Sequence, residues 1–231
     1  MNLYEIRARY VPAIITALPM IVFSGFVKEE IWISVFRNIG WFLVVENISF
    51  SMITVVFLIH AQRGIAKHMF EERIFDSGKK FPATRMLLLS DTHLSETMKM
   101  KVREKIKKDF GITLRTKDDE QDNMDEARKS IRDAVGLIRK QVGDGDKTLQ
   151  YNIHYGFTRN LIGGATFSVP CALICTIFSA LQKNVPVLIV SIAMLTGFAL
   201  IIMMSRSIMT HFGNVYAECL LTEYLTTKQG E

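Results

Sequence analysis

Four apolar stretches frame this chain, and a polar block at residues 61–160 separates the first pair from the second. Tyr10–Val27 is apolar apart from small polar residues. Ile39–His60 is apolar except for Glu46-Asn47 and a few serines and threonines. Leu161–Leu181 and Val185–Met204 contain no charged residue. A helix needs about 20 such residues to cross a hydrocarbon core of roughly 30 Å. The pattern predicts an all-α membrane protein with four transmembrane helices in two hairpins and a cytoplasmic helical module between them. The boundaries expected are 1–60 for the N-terminal tail and first hairpin and 61–160 for the module. The second hairpin is expected at 161–204 and an amphipathic cytoplasmic helix at 205–231.

Composition agrees with this segregation. The chain is 49% hydrophobic with a mean hydropathy of +0.20, yet 22% of its 231 residues are charged. Arg7 and Arg9 before the first stretch are compatible with a signal peptide, but a second apolar span follows almost at once, with no cleavage site leading into a soluble domain. Block 61–160 holds 21 of the 28 Lys plus Arg against 16 of the 23 Asp plus Glu. The loops Lys28–Asn38 and Gln182–Asn184 carry little net charge. Lys and Arg mark the cytoplasmic side, so the N-tail, the block and the C-tail are expected there, in a bacterial inner membrane. The net charge of +5 then faces anionic lipid or an anionic ligand. Cys171, Cys175 and Cys219 form no disulfide framework and read as packing residues.

The segment RMLLLSDTHLS, Arg85–Ser95, resembles the first metal-binding segment of calcineurin-like phosphoesterases. Two metals need six or more N/O donors. The chain has five histidines and no Gly-Asn-His-Asp, Gly-Asn-His-Glu or Gly-His-x-His. Asp91 and His93 are therefore expected in a turn, and no catalytic residue, metal or cofactor is expected. Ser95 is placed to cap a helix Glu96–Phe110 with Met98, Val102, Ile106 and Phe110 on one stripe and Gly111 at its end. A second rod, Asp122–Val142, repeats Met124, Ala127, Ile131, Ala134, Val135, Ile138 and Val142. The link Gly111–Gln121 reads as a solvated loop. Such a module buries little apolar area alone, so packing on further copies is expected.

Three groups are candidate functional residues. Glu46 and Asn47 stand inside the second apolar stretch, Glu46 roughly 10 Å from its outer end at 1.5 Å per residue. A carboxylate facing lipid there costs about 2–3 kcal/mol on insertion scales. It either lines a pore or cavity, or is protonated and bonded to a neighbouring helix. Gly163, Gly164 and Gly197 are candidates for close or mobile helix packing in a pore or gate, Gly197 with Ala193 as a small-x-x-x-small face. Tyr151–Gly164 reads either as a gating collar with Tyr151, Tyr155 and Phe157 as interfacial anchors, or as an ordinary helix leading into the membrane. Lys99, Lys101, Arg103, Lys105, Lys107 and Lys108 crowd the first rod. With Arg159 and Asn160 they form the candidate site for an anionic ligand or activator, the alternative being a solvated face. No aromatic side chain stands among the cations of the first rod, so no large nucleic acid is expected there, and a small nucleotide is left as one candidate ligand. Ser205–Thr226 is amphipathic with Ile208, Phe212, Val215 and Cys219 as its seam. Few cations lie on its polar face, which favours contact with the module or another subunit over the membrane surface.

Two spans, a helical block and two further spans resemble the four-helix membrane effectors of bacterial anti-phage defence systems. FPATRMLLLSDTHLS, the Ile131–Arg139 segment and YGFTRN at Tyr155–Asn160 are similar to a widespread set of bacterial membrane proteins. The first resemblance implies a homo-oligomeric channel or pore-forming effector in the lipid bilayer. A small nucleotide messenger or a cytoplasmic partner protein would open it and depolarise the cell. The rival expectation is a non-conducting membrane adaptor or sensor that recruits a cytoplasmic partner.

Overall fold

The structure, a computed structural model, describes residues 3–24 and 46–227. Every regular element among them is a helix. We number the helices in chain order. Helix α1 (residues 3–24) joins Leu3–Glu5, a π-helical turn Ile6–Tyr10 and Val11–Ser24. Helix α2 (residues 46–75) joins Glu46–Ile65, a π-helical turn Ala66–Glu71 and Glu72–Phe75. Then come α3 (Pro82–Met86), α4 (Glu96–Phe110), α5 (Lys117–Asp122), α6 (Met124–Val142), α7 (Asp146–Leu181), α8 (Val185–Met203) and α9 (Ser205–Thr226).

Three of the described helices are long and apolar enough to cross a membrane: Leu3–Phe23, Asp146–Leu181 and Val185–Met203. The first starts earlier than the sequence suggests, so Arg7 and Arg9 belong to the helix rather than to a tail. Arg9 meets Glu5 one turn back at 3.3 Å, a pairing that supports helix in this charged stretch. The loop Lys28–Asn38 and the start of the second apolar stretch lie outside the described residues. Helix α2 continues through residue 75, and α7 runs unbroken from Asp146 to Leu181. Gly163-Gly164 do not interrupt α7.

The chain divides into two compact units. The apolar unit comprises Met1–Met69 and Gly156–Ser205, the polar unit Phe70–Tyr155 and Arg206–Glu231. In the apolar unit, Ala13 and Ala17 of α1 and Leu58 of α2 form a buried cluster, flanked by Ile21, Val55, Ile59 and Phe167. Phe57 meets Phe167 edge to face at 5.4 Å.

In the polar unit the local signals act as expected at most places. The Ser95 hydroxyl accepts the Met98 N–H, and Gly111 closes α4 at φ +68°, a left-handed conformation open to glycine. Val102 and Ile106 are buried, as are Ala127, Ile131, Ala134, Val135, Ile138 and Val142 of α6. The link between the rods departs from expectation. Thr116 caps α5 in a reciprocal box with Asp119, and Glu120 is driven into the interior with 2% of its surface exposed.

Helix α9 completes this core. Met209, Tyr216, Ala217, Leu220, Leu221 and Tyr224 are all buried. The buried face lies one residue along from the Ile208, Phe212, Val215, Cys219 seam, whose members are half-buried. Two tyrosines set this rotation, because their large rings bury more apolar area than the smaller side chains beside them. Tyr216 stacks on Tyr155 at 6.3 Å, and Tyr224 stacks on Phe110 at 6.0 Å. The unit thus draws its missing apolar area from its own C-terminal helix.

Candidate functional site

The apolar unit is assembled around one face of α7 that carries small or amide side chains at Gly156, Asn160, Gly163, Gly164, Ser168, Ala172 and Cys175. Small residues let helix backbones approach closely where lipid offers no hydrophobic drive for association. A Cβ placed on Gly164 would stand 2.6 Å from Thr16 Cγ2 of α1. One placed on Gly163 would stand 2.8 Å from Ala66 Cβ of α2, and closer still to the Gln62 carbonyl oxygen. At Gly156 it would meet the Tyr4 hydroxyl at 2.9 Å. Gly163 and Gly164 are therefore closely packed contacts within one protomer.

Polar side chains on these faces bond to backbone carbonyls. Pro12 has no N–H, so it cannot serve the carbonyl four residues before it, which is that of Ala8. The Asn160 Nδ2 donates to that oxygen at 2.5 Å. Gln62 Nε2 donates to the Arg9 carbonyl at 2.6 Å. Further along α7, Ser168 Oγ donates to Thr16 O at 2.7 Å and Cys175 Sγ to Pro19 O at 3.1 Å. Pro12 is also in phase with the π-helical turn, where the Val11 N–H reaches back to Ile6 O. Proline thus frees a carbonyl, and an amide from a neighbouring helix takes it up. The sequence reading placed Asn160 in an anion site. The structure gives its amide to Ala8 and leaves it 1% exposed. Asn160→Leu should lower the thermal stability of the detergent-solubilised protein by about 0.5–2 kcal/mol. Asn160→Gln should recover little of it, because the longer amide misses the carbonyl. Unchanged stability in the leucine variant would sink this assignment.

Glu46 and Asn47 open α2, and their side chains lie outside the described residues. Gly197 lies on an exposed face of α8, where an added Cβ would meet nothing within 4 Å. Arg159 lies next to Asn160 on α7 in the apolar unit, whereas all the α4 cations belong to the polar unit.

Those cations are not one face. Lys99 is 1% exposed, its ammonium donating to the Asp91 carbonyl. Arg103 is buried and pairs with Glu120 at 2.9 Å while donating to Leu87 O at 2.8 Å and to Arg115 O. Glu120 accepts the Leu89 N–H with its other oxygen at 2.9 Å. Lys105 bonds the Tyr224 carbonyl at 2.7 Å and lies 4.9 Å over the Tyr224 ring. Only Lys101, Lys107 and Lys108 of this set are exposed. Six cations in ten residues exceed what one helical face can hold, and the inward ones cap carbonyls and one carboxylate.

Asp91 and His93 stand in a turn, as the sequence reading expected. Asp91 Oδ1 accepts the His93 N–H at 2.8 Å, and its Oδ2 lies 3.2 Å from Arg85 Nε. His93 Nε2 meets Glu218 of α9 at 2.5 Å. No group of three His, Cys, Asp or Glu side chains among the described residues is placed to hold a metal ion. Tyr155, expected as an interfacial anchor, is 4% exposed and donates its hydroxyl to Glu71 at 2.9 Å. All three cysteines are free thiols. Burial raises the Cys219 pKa above its ordinary value, keeping that thiol neutral and a poor nucleophile.

A second basic feature was not singled out by sequence, because its members are far apart in the chain. Lys79, Lys80, Arg85, Arg128 and Arg206 line one cleft of about 310 Å³ in the polar unit. No protein-family model, curated protein or solved structure matches this chain.

Proposed function

We propose that this chain is an oligomeric channel or pore-forming effector of the bacterial inner membrane. It would have four transmembrane helices in two hairpins, both termini in the cytoplasm, and a cytoplasmic helical unit that controls opening. The observation that carries the reading is a surface of α8 that has no partner among the described residues. Ile189, Ile192 and Leu200 are exposed along it, and the Ala193–Gly197 face has no neighbour at Gly197. On α7 the glycines at 156, 163 and 164 each meet another helix, so the small face left open on α8 favours a second copy of the chain. Conduction would run between protomers, with Glu46 and Asn47 as the polar groups beside it. The resemblance to anti-phage effectors puts the physiological role in defence by depolarisation.

A voltage-sensitive dye in cells making the protein tests this directly. Depolarisation is expected, reduced by Gly197→Leu and altered by Glu46→Gln, with both variants inserted normally. A membrane that stays polarised, with the protein present and triggers from neighbouring genes supplied, removes the channel reading. One observation favours the second reading, a non-conducting adaptor that recruits a cytoplasmic partner protein. Asn160, Gln62, Ser168 and Cys175 inside the apolar unit donate to backbone carbonyls at Ala8, Arg9, Thr16 and Pro19, contacts that tie helices together rather than line a path. A silent dye trace with an intact oligomer selects it.

A further inference from the structure

We infer that the cleft between α3, α6 and the start of α9 binds a phosphate group, and that this cleft, rather than the α4 cations, is the anion site of the polar unit. Its walls carry five cations and no carboxylate. Three of the five are already committed. Lys79 pairs with Asp125 at 2.6 Å, Lys80 with Asp76 at 3.3 Å and Arg85 with Asp91 at 3.2 Å. Arg128 and Arg206 have no carboxylate within 4.0 Å among the described residues. Two uncompensated guanidinium groups on a shared concave wall repel each other until an anion joins them. A phosphate suits them best, since each guanidinium can bond two of its oxygens. The Thr210 hydroxyl in the same wall adds a neutral donor.

The rest of the cleft sets the size of the ligand. Ile74, Phe75 and Pro82 form an apolar side, and Phe75 is 3% exposed, so no ring face is offered for a base to stack on. About 310 Å³ is at the small end of ligand pockets, which run to roughly 1,000 Å³. The site therefore reads a phosphate or diphosphate group and not the base or chain attached to it. Two sources share that chemistry, a free phosphorylated metabolite and the headgroup of an anionic lipid. Arg206 follows the end of the apolar helix α8 at Met203 by three residues, which is where a lipid phosphate would be met in sequence.

This inference names the ligand class for the activation proposed above, but it is read by binding and not by conduction. A sealed membrane would leave it standing, and an empty cleft would leave conduction standing. The test uses the full-length protein in nanodiscs. Inorganic pyrophosphate and ATP are titrated in phosphatidylcholine discs, and retention of phosphatidylglycerol is counted by native mass spectrometry in mixed discs. The variant R128Q/R206Q removes two charges without orphaning a carboxylate, so folding should survive, as circular dichroism would show. K107Q/K108Q removes the same charge from exposed positions on α4. Native protein should bind at least one probe, and R128Q/R206Q should weaken it about tenfold or more, against less than about threefold for K107Q/K108Q. Loss of pyrophosphate or ATP binding in neutral discs identifies a soluble ligand. Loss of phosphatidylglycerol retention alone identifies the lipid. Absence of binding by all three probes, or equal weakening in both variants, overturns the proposal.

Discussion

Glu120→Leu should destabilise the polar unit by about 3–5 kcal/mol, the usual cost of leaving one member of a buried ion pair uncompensated. Glu120 and Arg103 are 2% and 8% exposed at the side chain and meet at 2.9 Å. The loss is large because the pair is also a junction. Arg103 serves the carbonyls of Leu87 and Arg115, and Glu120 serves the Leu89 N–H. Without the carboxylate, a guanidinium and an amide lose their partner together, and the 87–89 segment loses its tie to α5. Hydrogen exchange at the Leu89 amide should accelerate by at least the same free energy, and urea should unfold the unit at a lower midpoint. Arg103→Met/Glu120→Leu should recover the part of the loss that comes from the orphaned guanidinium, while Leu87, Leu89 and Arg115 still lack their side-chain partners. If Glu120→Leu moves neither the urea midpoint nor the Leu89 exchange rate, the pair does not organise this unit.

Gly163→Leu should unseat α7 from α2. An added side chain begins 2.8 Å from Ala66 Cβ and 3.0 Å from the Ala66 nitrogen, with the Gln62 carbonyl nearer still. Two of these three atoms are backbone, so no rotamer change relieves them. The helices must separate, straining the Gln62–Arg9 and Asn160–Ala8 bonds by which α2 and α7 each hold α1. Overpacking of this kind costs about 1–3 kcal/mol, and more when hydrogen bonds break with it. The expected result is a lower melting temperature in detergent and faster proteolysis. Gly197→Leu is the internal comparison. It adds the same side chain to a helix of the same unit at a position with nothing within 4 Å, and should leave protomer stability unchanged. Equal behaviour of the two variants would refute the close approach at Gly163.

Gly163 and Gly164 also show where a residue type is legible and its use is not. The pair was expected either to tighten or to loosen the chain at a gate. In the structure they are contact points on a continuous helix, because α1 and α2 present Thr16 and Ala66 to them. From sequence, Asn160 falls with Arg159 in a candidate anion site. Its partner, the Ala8 carbonyl, is freed by Pro12, a link across 152 residues that needs both helices in place. Pro12, whose missing N–H frees that carbonyl, is the signal in the sequence from which a donor elsewhere could have been expected. For the α4 cations the sequence carried their number but not their depth. Lys99 and Arg103 turn inward because loop carbonyls and Glu120 receive them there.

Local signals along the chain determined that the α4, α6 and α9 segments are helices, where α4 begins and ends, where α6 ends, and which face of α6 is buried. They also determined that apolar and polar residues would not share one core. These are local properties, set by backbone hydrogen bonding and by apolar area within a few turns. Only the tertiary structure decided that α9 belongs to the core of the polar unit and which of its faces is buried. Only it made Glu120 an interior residue, and only it collected Lys79, Arg128 and Arg206 into one cleft. Each of those outcomes depends on the approach of segments distant in sequence. Charge balance and packing in the interior become defined only when those segments meet.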